Sequence, residues 1–382
     1  MRLPCFSRLL PSALGAAIVV AATAALAVAG PLVDSVQTVA TGIAKLPACK
    51  SASVAIGLVG SEASDAFAGK LSTGGDPDSS SVYAIGSLTK TFTALLFAEA
   101  LAKGLVKSDD PVSKYLPPDV SVPSFFDKGA AYPIRLIDLA THTSGLPRAT
   151  GNPRYPYATA QMHADLAKIM LTRRPGTAWD YSNLGFALLA EAMETVFKAP
   201  YEQLLAQHIA APLRMTDTGI VTVATTSDIV VAYGPNGQKI SPVNSTWPAF
   251  NGAGAIRSTL SDMERFLGFA MVGGAGDLDN ARPQLFGWKT FPRAGGQGKV
   301  EQGLGWQRAT PFGGELDVAW KDGDVPGFTS YVAFSQKLGV GVVALANRAG
   351  CPTERAALCV LRVAGEQAGL KMTAGAGPNC KF

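Results

Sequence analysis

The chain has 382 residues, an apolar fraction of 47% and a formal net charge of +4. Its length and apolar content allow a substantial buried core, in one large domain or in two interleaved domains. Charged residues make up only 16% and form no basic run or acidic tail, so we expect no nucleic-acid partner.

Residues 1–29 have the pattern of a signal peptide. Arg2 and Arg8 precede a long uncharged apolar run over 9–28, and small residues before Gly30 fit a cleavage site. The run is also about long enough to span a bilayer, so an uncleaved anchor with inner-membrane association is the alternative. Both readings predict that the rest of the chain lies outside the cytoplasm.

Four cysteines remain after the predicted signal, which contains Cys5. Cys49, Cys351, Cys359 and Cys380 are an even number, which suits an oxidising compartment, but the sequence does not select among their three possible pairings. No cysteine and histidine cluster has metal-ligand spacing, so we expect no metal and no cofactor.

Strand patterns lie near both ends of the chain, and helical patterns fill the middle. Strands are predicted over 53–59, 316–320, 328–334 and 339–346, and a loop is predicted at 295–298. Helices are predicted from the turn after Ile85 to Lys103, and over 136–141, 160–171, 183–197, 201–209 and about 353–368.

This order predicts an α/β (α+β) fold. A mostly antiparallel sheet would be built from both ends of the chain, flanked by N- and C-terminal helices, with an inserted all-helical domain. The predicted boundaries are 30–104 and 246–382 for the sheet domain and 105–245 for the helical domain. The cleft between them is the expected ligand site.

Ser87 is the leading candidate for a nucleophile. It is the only serine with a lysine, Lys90, three residues later, and positions i and i+3 share one face of a helix. A serine hydroxyl needs a base or an electrostatic activator, and this spacing supplies an amine beside it. A helix cap followed by a surface lysine is the alternative interpretation.

Two later segments support Ser87. In Tyr181-Ser182-Asn183, a phenol near ammonium groups would have a lowered pKa and could act as a base, while the amide of Asn183 could hold a substrate carbonyl. The alternative for this segment is a helix cap.

The other segment runs from Lys321 through Asp322 and Gly323 to Asp324. It follows a strand-like run, so an edge strand could offer backbone N–H groups to a substrate, and Gly323 would allow a ligand to approach closely. The alternative is a hairpin turn at Asp-Gly.

In the order Ser-x-x-Lys, Tyr-x-Asn and Lys-x-Gly, these motifs resemble the serine β-lactamase and penicillin-binding protein superfamily. The Tyr-Ser-Asn form is similar to that of the class C β-lactamases and their carboxypeptidase and esterase relatives. The Ser-Leu-Thr-Lys context and segment 114–118 are most similar to the D-alanyl-D-alanine carboxypeptidase/endopeptidases among them. The resemblance covers about 50–365 and includes the segments 139–147, 212–215, 252–254, 303–306 and 327–347.

The resemblance implies the roles of the site residues. Ser87 would be acylated, with Lys90 and Tyr181 handling the proton. Asn183, Lys321 and Gly323 would bind substrate, and the backbone N–H groups of Ser87 and Asp324 would form the oxyanion hole. Arg355 would lie near a substrate carboxylate.

Asp322 departs from the family pattern, which has Thr or Ser at this position. A carboxylate facing a substrate carboxylate is unfavourable unless one of them is protonated or paired. Asp322 therefore either pairs with Lys321 or Arg355 and leaves recognition intact, or the enzyme prefers substrates without that carboxylate.

The resemblance implies a periplasmic acyl-serine hydrolase acting on a small-molecule substrate, either a β-lactam or a peptidoglycan peptide. A D-alanyl-D-alanine carboxypeptidase or endopeptidase is the first hypothesis. A class C β-lactamase, a family esterase and a non-catalytic β-lactam or muropeptide sensor are the alternatives. The first two share acylation chemistry and differ in the rate of deacylation, which no residue type reveals.

Overall fold

The computed structural model describes residues 30–150, 157–221, 229–241 and 248–381. The predicted signal peptide lies outside these ranges. No helix within them is long and apolar enough to cross a membrane.

The first half of the chain is mostly helical after an initial pair of strands. Its elements are α1 (Pro31–Ala44), β1 (Ser53–Val59), β2 (Ser64–Gly69), β3 (Tyr83–Ala84), α2 (Thr89–Ala102), β4 (Ser124–Asp127), β5 (Ala130–Pro133), α3 (Leu136–Ala140), α4 (Thr159–Leu166), α5 (Asn183–Phe197) and α6 (Tyr201–Leu204). The predicted strand 53–59 and helix 183–197 have the observed bounds.

The second half supplies most of the sheet. Its elements are β6 (Gly219–Ile220), β7 (Ala232–Tyr233), β8 (Lys239–Ile240), α7 (Asn251–Gly254), β9 (Ile256–Ser258), α8 (Leu260–Val272), α9 (Arg282–Leu285), β10 (Lys289–Pro292), β11 (Lys299–Gln302), β12 (Gln307–Ala309), β13 (Val318–Val325), β14 (Phe328–Ser335), β15 (Val340–Ala346) and α10 (Thr353–Gln367).

One large sheet joins the two ends of the chain. Its eight strands follow the order β10-β11-β12-β13-β14-β15-β1-β2, and each neighbouring pair is antiparallel. The N-terminal strand β1 pairs with β15 in the register Ile56↔Ala344. The predicted antiparallel sheet is confirmed.

Both faces of this sheet are buried, and successive side chains of each strand enter different cores. Val54 and Ile56 pack in the core under α1 and α10, whereas Ala55 packs in the second core. Helix α8 covers that opposite face, and its core continues through α2 and α5 into the central part of the chain. The alternation of a strand thus explains why helices cover both faces.

The central segment 105–245 contains the predicted helices α3 to α6, together with short strands that the all-helical prediction did not include. The hairpin β4–β5 turns at Lys128 and Gly129, which both have positive φ angles of 48° and 82°. A two-residue hairpin turn of type I′ needs this conformation at both positions. Strand β6 pairs with β9, which also pairs with β3.

Two disulfides close the sheet region. Cys49 pairs with Cys351, and Cys359 pairs with Cys380. The first bond joins the chain before β1 to the chain after β15, two strands that are neighbours in the sheet. The second fastens the C-terminal segment to α10.

Candidate active site

Ser87 lies in a 3₁₀ turn, Gly86–Leu88, directly before α2. Gly86 has a φ of +53°, and a Cβ atom there would lie 2.9 Å from the backbone nitrogen of Asp324. Glycine therefore allows this turn to lie against β13. Ser87 remains partly exposed between buried neighbours, so its hydroxyl can be reached from the cleft.

Lys90 lies in the first turn of α2 and is fully buried. Its Nζ donates to Ser87 Oγ at 3.0 Å and to the carbonyl oxygen of Ala253, in α7, at 2.5 Å. Burial lowers the pKa of Lys90 to about 8, with a further lowering by the nearby Lys321. A substantial fraction of this amine is therefore neutral slightly above neutral pH.

Tyr181 reaches the same hydroxyl from the other side. Its OH donates to Ser87 Oγ at 2.7 Å. The next residue, Ser182, caps α5 by accepting a hydrogen bond from the backbone N–H of Gly185 at 2.9 Å. The cap fixes the start of α5 and with it the position of the preceding tyrosine.

Two ammonium groups act on the phenol. Lys90 Nζ lies 4.9 Å and Lys321 Nζ 5.3 Å from the centre of the Tyr181 ring. Burial opposes ionisation of the phenol, but the two positive charges outweigh it and place the pKa of Tyr181 below its usual value. The geometry thus offers two groups, an amine and a phenol, that can take the proton of Ser87.

Lys321 to Asp324 lie inside β13 rather than after it. Strand β12 pairs only with Val318 to Trp320, whereas β14 pairs along β13 as far as Val325. The edge of β13 beyond Trp320 is therefore free of β12 and faces the Ser87 turn. The hairpin turn comes later, at Gly327, whose φ is +86°, so Asp-Gly is not a turn here.

Gly323 is required by the protein itself. A Cβ atom there would lie 2.1 Å from the carbonyl oxygen of Ile85 and 2.3 Å from Ser330 Oγ. Ser330 donates to that same carbonyl at 2.8 Å and so holds the Ser87 turn against the sheet. Ile85 and Ser330 occupy the space where a Cβ would lie, and the close approach of a ligand to the Gly323 backbone stays a prediction.

Asp322 pairs with Lys321, which is one of the two partners considered for it. Lys321 Nζ donates to Asp322 Oδ1 at 2.5 Å and to the Asp322 carbonyl oxygen at 3.0 Å. The ammonium is buried and the carboxylate is about half exposed, with side-chain exposures of 2% and 49%. Burial opposes its ionisation, but the Lys321 charge outweighs this and lowers the pKa of Asp322.

The described hydrogen bonds of Asn183 and Arg355 go to parts of the chain other than Ser87. Asn183 begins α5, and its backbone N–H donates to the carbonyl oxygen of Arg148 at 2.8 Å. Arg355, in the first turn of α10, donates to the carbonyl oxygens of Asn379 and Lys381 at 2.5 and 2.6 Å. The substrate-binding roles of both residues stay predictions.

Two further residues contact Tyr181. The guanidinium carbon of Arg148 lies 4.9 Å from the centre of its ring, and the ring of His142 lies 4.4 Å away. Arg148 was missed as a candidate; it follows directly on segment 139–147, which carried part of the resemblance and was the available signal.

His142 supports the tyrosine without titrating near neutral pH. Its Nδ1 accepts from the backbone N–H of Ser182 at 3.1 Å. Burial, together with the neighbouring cations, holds the pKa of His142 well below its usual value. The ring is therefore neutral and has a structural role beside Tyr181.

Comparison with known proteins agrees with this geometry. The Beta-lactamase family model matches residues 39–363. The D-alanyl-D-alanine-carboxypeptidase/endopeptidase AmpH of Escherichia coli (strain K12) is 33% identical over 286 residues, covering 71% of this chain and 72% of that protein. The chain belongs to the β-lactamase family. It is a serine hydrolase of the acyl-serine type, and the family acts on β-lactams or peptidoglycan peptides.

Two further relatives are named for β-lactamase activity, and one of them also for D-alanine carboxypeptidase activity. The second is a solved structure with the same fold. A β-lactamase of Escherichia coli (strain K12) is 25% identical over 311 residues, covering 70% of this chain and 75% of that protein. A solved β-lactamase/D-alanine carboxypeptidase from Yersinia pestis superposes with a TM-score of 0.73 at 26% identity, over 87% of this chain and 98% of that one. The predicted family and fold class are confirmed.

Proposed function

We propose that this enzyme cleaves D-alanyl peptide bonds of peptidoglycan peptides in the periplasm and is acylated by β-lactams at Ser87. One observation carries the proposal: Lys90 Nζ and Tyr181 OH converge on Ser87 Oγ at 3.0 and 2.7 Å. The relative named as a D-alanyl-D-alanine-carboxypeptidase/endopeptidase supports the choice of peptide over antibiotic as substrate.

Acylation follows from the positions of these groups. Ser87 Oγ attacks the scissile carbonyl carbon as its proton passes to the neutral amine of Lys90 or to the phenolate of Tyr181. The C–N bond then breaks, and the leaving amine takes up a proton from the same pair. Water later attacks the acyl-serine. The peptide is released as its carboxylic acid, and the free hydroxyl of Ser87 is regenerated.

Negative charge on the carbonyl oxygen would be held by the backbone N–H groups of Ser87 and Asp324. The close packing of Gly86 on the Asp324 backbone supports this, because a Cβ at Gly86 would lie 2.9 Å from Asp324 N. Such a donor typically contributes about 3 kcal/mol to transition-state stabilisation.

The periplasmic location rests on the signal pattern of residues 1–29 and on the disulfide pairs. The bonds Cys49–Cys351 and Cys359–Cys380 suit an oxidising compartment. A fusion of this chain to a reporter that is active only after export would test the location.

The test of function compares three substrates with the purified enzyme: nitrocefin, a pentapeptide ending in D-Ala-D-Ala, and p-nitrophenyl acetate. Release of D-alanine supports the proposal. Rapid nitrocefin turnover without D-alanine release would identify the enzyme as a β-lactamase. Cleavage of the ester alone would identify it as an esterase, and a single acylation without turnover would identify the protein as a sensor.

A labelling experiment tests the nucleophile. Fluorescent penicillin should label the wild type, and Ser87→Ala should abolish the label, because Ser87 is the hydroxyl that receives hydrogen bonds from both Lys90 and Tyr181. Ser113→Ala, at an exposed serine, is the matched control and should keep the label. Labelling that survives in Ser87→Ala would remove Ser87 from the mechanism.

A further inference from the structure

One cation of this site, Lys321, already has an acidic partner. Lys321 Nζ is bound by the carboxylate of Asp322 at 2.5 Å and by its carbonyl oxygen at 3.0 Å. Burial of the ammonium makes this pair persistent, because breaking it would leave an uncompensated buried charge. The positive charge of Lys321 is therefore compensated before any substrate arrives, so this pairing takes a cation away from carboxylate recognition and does not leave recognition intact.

Two more carboxyl groups lie within electrostatic reach of Asp322. Asp324 follows it on β13, and Glu354 lies in the first turn of α10. Although both residues border solvent, desolvation by the surrounding protein and the Asp322 charge raise the pKa of each carboxyl. Three carboxyl groups, those of Asp322, Asp324 and Glu354, are thus grouped at this end of the cleft.

Two other cations near this wall, Arg148 and Arg355, already have contacts within the protein. Arg148 lies against the Tyr181 ring, and its charge acts on Asp324. The Arg355 guanidinium donates to two backbone carbonyls of the C-terminal segment. The bond between Cys359 and Cys380 holds that segment to α10, which keeps those carbonyls beside Arg355.

We propose that Asp322 is a specificity-determining residue and that the enzyme selects acyl donors whose leaving group has no carboxylate beside the scissile bond. The inference rests on the proposed function and names its substrate class: D-alanyl donors with a neutral leaving group, such as an amide or an ester. A carboxylate at this place would meet Asp322 without an uncompensated ammonium to hold it, and juxtaposed like charges are a strong element of selectivity.

The test uses two peptides that differ only in charge at this position, an N-acylated D-Ala-D-Ala and its C-terminal amide. In both reactions the Ser87 Oγ–C bond forms, the same C–N bond breaks, and the amine leaves with a proton. The quantity measured is the ratio of kcat/KM for the amide to kcat/KM for the acid, taken within each enzyme so that a general loss of activity cancels.

We expect a ratio above one in the wild type, falling about tenfold in Asp322→Thr. Asp127→Asn, at the exposed tip of the β4–β5 hairpin, removes the same charge elsewhere and should keep the wild-type ratio. A wild-type ratio below one, or a ratio that Asp322→Thr leaves unchanged, overturns the inference.

A second pair of compounds separates this inference from the proposed function. The rates at which benzylpenicillin and its methyl ester acylate Ser87 are compared, each followed by the increase in protein mass. If neither peptide is cleaved but the ester acylates faster and Asp322→Thr narrows the difference, the peptidase function fails and the specificity inference stands. If the penicillin acid acylates faster in the wild type, the inference fails whatever the peptides do.

Discussion

Replacing Lys321 by methionine should move the pH dependence of acylation to higher pH. The ammonium lies 5.3 Å from the centre of the Tyr181 ring and is one of the charges that lower the pKa of that phenol. It also lowers the pKa of Lys90, which is about 8. Removing it raises both values, so the prediction holds whichever group takes the proton.

The size of the shift follows from that distance. Two unit charges about 5 Å apart interact by roughly 3 kcal/mol at an effective dielectric constant of about 20, which corresponds to about two pKa units. Because the cleft opens to water, we expect a shift of about one to two units. The acylation rate rises with pH because the proton acceptor must be unprotonated. The rising limb of the pH–rate profile should therefore lie at higher pH in Lys321→Met.

The assay is single-turnover acylation by p-nitrophenyl acetate from pH 5 to 10, with the Ser87→Ala rate subtracted. This ester has no carboxylate, so loss of substrate binding at Lys321 does not enter. Lys299→Met, at an exposed position on β11, is the matched control and should keep the wild-type profile. If the rising limb of the pH–rate profile stays in place or moves to lower pH in Lys321→Met, the proposed effect of the Lys321 charge on the proton acceptor is refuted.

Two further predictions concern the sheet and helix α8, which covers one of its faces. Gly323→Ala should slow acylation at least tenfold, because its Cβ would lie 2.1 Å from the Ile85 carbonyl oxygen and displace the Ser87 turn; Gly287→Ala, whose Cβ meets its nearest atom at 4.0 Å, should not. Burial and the neighbouring Asp65 raise the pKa of Glu264 from 4.5 to about 9. The protonated carboxyl group therefore stabilises the folded state fully below pH 4.5, and this contribution to stability is lost as the pH rises to about 9. Glu264→Gln keeps a donor without titrating, so its melting temperature should match the wild type at pH 4.5 and exceed it by about 2 °C or more at pH 8.5; a difference that does not change with pH would contradict this.

Much of the site chemistry could be predicted from local patterns. The spacing of Ser87 and Lys90 places two side chains on one helical turn, because an α-helix repeats every 3.6 residues. The helix 183–197 and the strand 53–59 were predicted with their observed bounds because hydrophobic periodicity and capping residues depend on near neighbours in the chain. These signals also predicted the antiparallel sheet and its covering helices.

Other features depended on contacts between distant parts of the chain. Asp322-Gly323 has the local pattern of a turn, yet pairing with Tyr331 and Ser330 makes it part of an extended strand. The local pattern could not show that the Ile85 carbonyl needs the space beside Gly323.

The sequence alone determined which residue types could do the chemistry, since the Ser-x-x-Lys, Tyr-x-Asn and Lys-x-Gly motifs, in this order, resemble those of the β-lactamase superfamily. The tertiary structure decided which of them meet: Ser87 and Tyr181 are 94 residues apart and share a hydrogen bond. It also decided the disulfide pairs and the partner of Asp322. Sheet register and helix packing set such contacts, and these depend on the whole chain rather than on any local segment.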